Sequence, residues 1–235
     1  MMSIRALAAD ELPRLVTIEQ IPYSFMDEKG KKDGYQYLIA DAILRQAGYK
    51  AKSKMVPLKR LVYSLQGGAA DCGLLAGTPY VKEHFAMIEP VGINLTIGVV
   101  PRRDIILTEY KDLHKIKVGV GTGVRVDDRF DHDPLVTKME TKDYASGVLV
   151  LQRRRVDGLV GVVGSIKYSA LKQGLNPDVL FGEPLVFSQM PMMLICAKSV
   201  ADKPFVKRLK SALVSLKAKG EIQKILDGFY QSVRP

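Results

Sequence analysis

The sequence predicts an α/β protein of two lobes, and three observations carry that expectation. Strand and helix patterns alternate as β-α-β-α-β over residues 15–75. A second set of the same kind starts near residue 116, after a β-rich crossing. A second β-rich run and a long helical tail then return the chain to its first lobe. Alternation of this kind builds parallel sheets through right-handed crossovers. Two crossings between two lobes form a hinge with a ligand cleft beside it.

Each element has its own signal. Leu15 to Glu19 is a short β-rich run closed by Ile21-Pro22-Tyr23, and Asp27-Glu28-Lys29-Gly30 has turn chemistry. Tyr35 to Ala47 carries apolar residues at helical spacing and stops at Gly48, a C-cap glycine. Lys52 to Val56 reads as a strand, Leu58 to Gln66 as a helix ended by Gly67-Gly68, and Asp71 to Leu75 as a third strand. Ile93 to Val100 is the first crossing run. In the second set, Ile116 to Val120 is a strand, followed by Gly121-Thr122-Gly123 and a polar stretch. Ala145 to Arg154 is helical and Gly158 to Val163 is an apolar strand. Met190 to Ala197 is the second crossing run. Lys203 to Phe229 is helical, with Leu209, Leu213, Leu216, Ile222 and Ile225 as its buried stripe. No period of about 20–50 residues recurs, so repeat architectures are not expected.

Composition narrows the function classes. The 235 residues are 47% hydrophobic and 26% charged, enough to bury a core without metal or disulfide staples. No stretch approaches the ~18–20 apolar residues of a membrane-spanning helix, so no membrane insertion is expected. Aliphatic residues run throughout, which excludes disorder. Lys+Arg 35 against Asp+Glu 25 gives a net charge of +10, which attracts polyanions. The cations are nevertheless scattered in pairs, with one triplet at Arg153-Arg154-Arg155, and aromatic residues are 7% with no tryptophan. No basic stretch interleaves with stacking rings, so nucleic acid is not an expected partner. A solvated basic surface with a bias toward small anions fits better.

Cys72 and Cys196 sit alone in apolar strand-like segments without CxxC spacing. Buried free thiols and a single bond between the two are both compatible with that placement. At the start of the chain, Ala6-Leu7-Ala8 before Ala9 has the small-x-small form of a signal-peptidase site, with no apolar segment ahead of it. It reads either as the remnant of a removed leader or as a few helical alanines.

Catalytic and cofactor motifs score poorly. Gly119-Val120-Gly121-Thr122-Gly123 follows a strand, but Val124 breaks the spacing a dinucleotide site needs, and no cofactor is expected. The histidines, His84, His114 and His132, lack the spacing of zinc ligands. Asp127, Asp128, Asp131 and Asp133 lack the pattern of a calcium loop and read as a solvated patch. No metal site is expected.

Candidate binding residues come from topology. In open parallel sheets, ligands sit beyond the carboxyl ends of the strands. Glu19 and Tyr23 lie there after the first strand; Leu75 and Ala76 end the third, followed by Thr78 and Lys82. In the second lobe, Gly123, Val124 and Arg125 form a corner, and Val162 ends the last strand. Glycine allows close approach, a following helix start would present free N–H groups, and Arg125 adds a guanidinium. The expectation is an anion-binding corner.

These residues also form a familiar order. Leu15-Val16-Thr17 through Ile21-Pro22-Tyr23-Ser24-Phe25, then Asp33-Gly34-Tyr35, resembles the opening of bacterial extracellular solute-binding proteins of the polar amino-acid type, family 3. Val56-Pro57-Leu58, Leu65 to Asp71, Thr78-Pro79, Met87 to Pro90, Asp112-Leu113 with Val118-Gly119-Val120, and Leu151 to Gly158 are similar to successive motifs of that family. The resemblance implies the two-lobed periplasmic-binding-protein fold of type II, with a two-strand hinge. Lobe 1 would be residues 1–93 and 188–235, lobe 2 residues 94–187, hinged near Ile93-Asn94 and Phe187-Gln189. It implies a periplasmic or lipid-anchored location, which favours the removed-leader reading. It also implies a small-molecule ligand and an ABC permease or membrane receptor as partner.

Two anchors of the family are missing. The arginine that binds an α-carboxylate should follow Thr78-Pro79, where Tyr80-Val81-Lys82-Glu83 offers none and Lys82 is the nearest cation. The aspartate that binds an α-amino group should stand where this chain has Val162. Lysine does not reproduce an arginine fork, and valine neutralises nothing. The expected function is therefore periplasmic capture of a small polar, anionic solute for an importer, with no enzymatic activity. The alternatives are an enzyme similar to cyclohexadienyl dehydratases, for which Glu19 is the one acid–base candidate, and a ligand-sensing receptor domain.

Overall fold

The computed structural model describes residues 12–231, so the Ala6-Leu7-Ala8 segment lies outside the described residues. In the first half, β1 (Leu15–Ile18), β2 (Phe25–Met26) and β3 (Lys32–Asp33) lead into α1 (Tyr35–Gln46). β4 (Lys54–Val56), α2 (Leu58–Gln66), β5 (Cys72–Ala76), α3 (Pro79–His84) and the long β6 (Ala86–Pro101) follow. The second half holds β7 (Lys117–Gly121), α4 (Asp128–His132), β8 (Thr137–Thr141), α5 (Tyr144–Gln152), β9 (Gly158–Val162), α6 (Val163–Leu171) and α7 (Pro177–Leu180). The return is made by β10 (Leu185–Cys196), α8 (Pro204–Ala218) and α9 (Glu221–Gln231).

The sheet order is β4-β1-β5-β10-β6-β9-β7-β8. It contains two parallel trios, β4-β1-β5 and β9-β7-β8, one for each lobe. Between them runs an antiparallel ribbon of β10 and β6, joined antiparallel to β5 on one side and β9 on the other. The two crossing runs are thus one pair of strands, longer than their sequence signals. Helices pack over both trios and bury Ile39, Ile43, Leu61, Leu151, Ile166 and Leu209 completely.

Gln36 shows how the fold prepares a cleft. The β1–β5 ladder ends at Val16–Gly73. Beyond it, the buried Gln36 side chain accepts from the Ile18 N–H (2.7 Å) and donates to the Leu74 carbonyl (3.0 Å). The amide satisfies groups that would otherwise be buried without partners as the strands part. At the opposite strand end, Asp71 takes a two-pronged bond from Arg14. Burial alone would raise the Asp71 carboxyl, but the Arg14 hydrogen bonds and charge hold it below its ordinary value.

Of the two states open to the cysteines, the structure holds the bonded one: β5 and β10 are neighbours, and Cys72 and Cys196 stand opposite in their register. Several expectations need correction. The polar stretch after Gly123 contains β8, an edge strand whose mostly exposed side chains give no apolar run. Gly123 does not open a helix. The chain runs without regular structure to Asp127, whose carboxylate accepts from the Phe130 N–H (3.1 Å) and caps α4. The acidic patch is likewise ordered, not loose: Asp131 accepts from the Val126 N–H, and Asp133 from His114 and the Leu135 N–H. The helical tail is two helices, separated at Gly220, where φ is 69° and a glycine is favoured.

Candidate functional site

A cavity opens between the two lobes. Tyr23, Leu75, Ala76 and Thr78 line it from the first lobe; Gly123, Val124, Arg125 and Val162 line it from the second. Two candidates lie elsewhere. Ile18 faces the cavity, so the alternation of a strand turns the exposed Glu19 to the other side, where it lines a neighbouring cavity with Ser24 and Asp143. Val81 is the buried face of α3, and a rotation of about 100° per residue leaves Lys82 exposed to solvent, outside the cavities described.

Residues that sequence reasoning missed make most of the wall. Ile18, Leu58, Val62, Val81, Leu95, Ile97 and Met192 are apolar, and Gln36 and Tyr144 are polar. Leu95, Ile97 and Met192 come from the crossing ribbon, which no local motif places at a ligand site. Gln36 had a usable signal: a polar residue on the apolar face of α1 demands a buried partner.

The lobes touch around the cavity. Ser165 Oγ donates to the Tyr23 hydroxyl across the cleft (3.0 Å). Gly123 sits with φ 80°, and a Cβ there would lie 3.1 Å from Lys59 Cβ and 3.2 Å from Lys59 Cα. Any larger residue would wedge this contact apart. Tyr144 Oη accepts from the Val162 N–H (2.9 Å). Burial raises both phenols above their ordinary value, Tyr23 strongly, so both stay protonated at neutral pH.

Among the described residues, Arg125 is the one charged side chain on the cavity wall. Its guanidinium is exposed at the mouth and donates to the Val124 carbonyl (3.3 Å). The nearby Asp131 carboxyl is pushed up by burial, against the Val126 N–H and the Arg125 charge, which pull it down. The backbone N–H groups of Gly123 and Arg125 make no hydrogen bond among the described residues. Because the helix begins only at Asp128 and is capped, the corner expected to bind an anion holds a glycine turn and a guanidinium, with no helix start at Gly123. Among the described residues, no cluster of three or more His, Cys, Asp or Glu side chains could hold a metal ion.

The comparisons agree on the fold. The family model of bacterial extracellular solute-binding proteins, family 3, matches residues 15–232. No curated protein matches the chain. A mutant of the arginine-binding protein ArgBP from T. maritima superposes with a TM-score of 0.77 at 23% identity, covering 94% of this chain and 96% of that one. The solute receptor for L-cysteine of Neisseria gonorrhoeae gives 0.76 at 17% identity over 94% and 91%. A histidine kinase sensor domain with similarity to periplasmic binding proteins gives 0.76 at 17% identity over 92% and 95%.

Proposed function

The chain belongs to the bacterial extracellular solute-binding proteins, family 3, and from that premise we propose that it captures a small anionic solute by lobe closure and delivers it to an ABC importer. One observation carries this: among the described residues, a cavity between the lobes has a single charged side chain on its wall, and that side chain is a guanidinium. A guanidinium offers the fork that carboxylates and phosphates accept. Residues 1–93 and 188–235 would move against 94–187, hinged near Ile93-Asn94 and Phe187-Gln189. A register irregularity between Val186 and Ser188 supports a bend at the second place.

The Cys72–Cys196 bond supports an oxidising compartment, and membership of an extracellular solute-binding family supports a periplasmic one. Among the described residues no helix is long and apolar enough to cross a membrane. The likeness to a histidine kinase sensor domain favours a second reading in which the same closure signals to a membrane receptor. An enzyme reading is weaker, because Glu19 lies in the neighbouring cavity.

A thermal-shift panel of small organic anions tests the proposal. A solute at 100 times its dissociation constant should stabilise the parent by about 2.7 kcal/mol. Arg125→Ala should weaken that solute roughly tenfold or more, while the unliganded melting temperature stays put, since the side chain is exposed. Equal affinity for parent and variant would make Arg125 a surface residue and remove the anion site.

A further inference from the structure

The cavity offers hydrocarbon on nearly every side: Ile18, Leu58, Leu75, Val81, Val162 and Met192 all reach it. No carboxylate lines it among the described residues. The polar groups it holds are mostly spent. The Gln36 amide is committed to the Ile18 N–H and the Leu74 carbonyl. The Tyr23 oxygen accepts from Ser165. The Tyr144 oxygen accepts from the Val162 N–H, and its own proton is left to give. The amide of Gln20, at the boundary with the neighbouring cavity, is neutral.

A ligand ammonium placed beside Val162 would therefore meet a donor and aliphatic carbon, with no negative charge to pair. Desolvating an unpaired ammonium is strongly unfavourable. A carbonyl or hydroxyl oxygen at the same place would accept from Tyr144. Resting on the capture reading above, we propose that the cavity takes a carboxylate with an apolar body and no ammonium group, its carboxylate at Arg125 and any second polar group an acceptor for Tyr144. The walls then do through dispersion and water exclusion what charged anchors would do for an amino acid.

Isothermal titration of the parent protein with matched compounds tests this. The set is isocaproate, ketoisocaproate and leucine, with hydrocinnamate and phenylalanine as a second pair, and arginine as a cationic comparator. Each acid lacking the ammonium should bind roughly 30-fold or more tightly than its amino acid. Val162→Asp places a carboxylate where the ammonium would lie and should reverse the order, leucine over isocaproate. An amino acid binding as tightly as its partner, or arginine binding more tightly than every acid, overturns the substrate class and leaves solute capture standing. Failure of all the acids at millimolar concentration also overturns the class. Native mass spectrometry then separates the two ideas, since a different retained solute preserves capture.

Discussion

Replacing both cysteines, as Cys72→Ala with Cys196→Ala, should lower stability by about 4–5 kcal/mol, the chain-entropy cost of releasing a closure of this length. The two residues are 124 apart in sequence, and both are fully buried in neighbouring strands. At this chain length the loss corresponds to a melting temperature lower by about 10–15 °C. The bond ties β5 of the first trio to β10 of the crossing ribbon, so its removal acts on the lobe that the chain leaves and re-enters. A double variant that melts within a degree or two of the parent would show that the bond adds little beyond packing.

Gly161→Ala should cost about 3 kcal/mol or more and abolish the cavity's geometry. Gly161 has φ 149°, in the region where side chains are strained, and a Cβ there would overlap the Tyr144 hydroxyl. Tyr144 is buried and cannot swing into solvent without breaking its bond to the Val162 N–H. Steric overlap, backbone strain and a lost hydrogen bond all act in the same direction. Gly164→Ala is the control: it lies exposed in α6 with nothing within 4 Å of its added Cβ, so alanine should be neutral or slightly stabilising. Equal melting temperatures for the two variants would contradict the packing described around Tyr144.

What the sequence revealed depends on how local each signal is. The β-α-β-α-β order of the first lobe rests on periodicity within short windows, and β1, α1, α2 and β5 lie where that periodicity puts them. The strand-end rule brought Tyr23, Leu75, Thr78 and Val162 to one cavity because parallel strands share a carboxyl edge. Glu19 and Lys82 lie off this cavity by one step of alternation or rotation, which a boundary uncertainty of one residue produces. Asp127 carried a cap signal for α4, but four aspartates in seven residues look like a solvated patch until their backbone partners are visible. The Cys72–Cys196 bond and the ribbon residues Leu95, Ile97 and Met192 were hidden for a different reason. They depend on β10 settling between β5 and β6, a pairing of segments far apart in sequence that no window contains.

Capture of the solute requires the two lobes to close around a bound anion. Small-angle X-ray scattering of the protein, alone and with the most stabilising carboxylate of the panel at saturation, addresses this directly. The unliganded protein should be more extended, and the bound protein should contract to the arrangement in which Tyr23 meets Ser165 and Gly123 lies against Lys59. Superimposable profiles with and without a saturating carboxylate would contradict capture by closure.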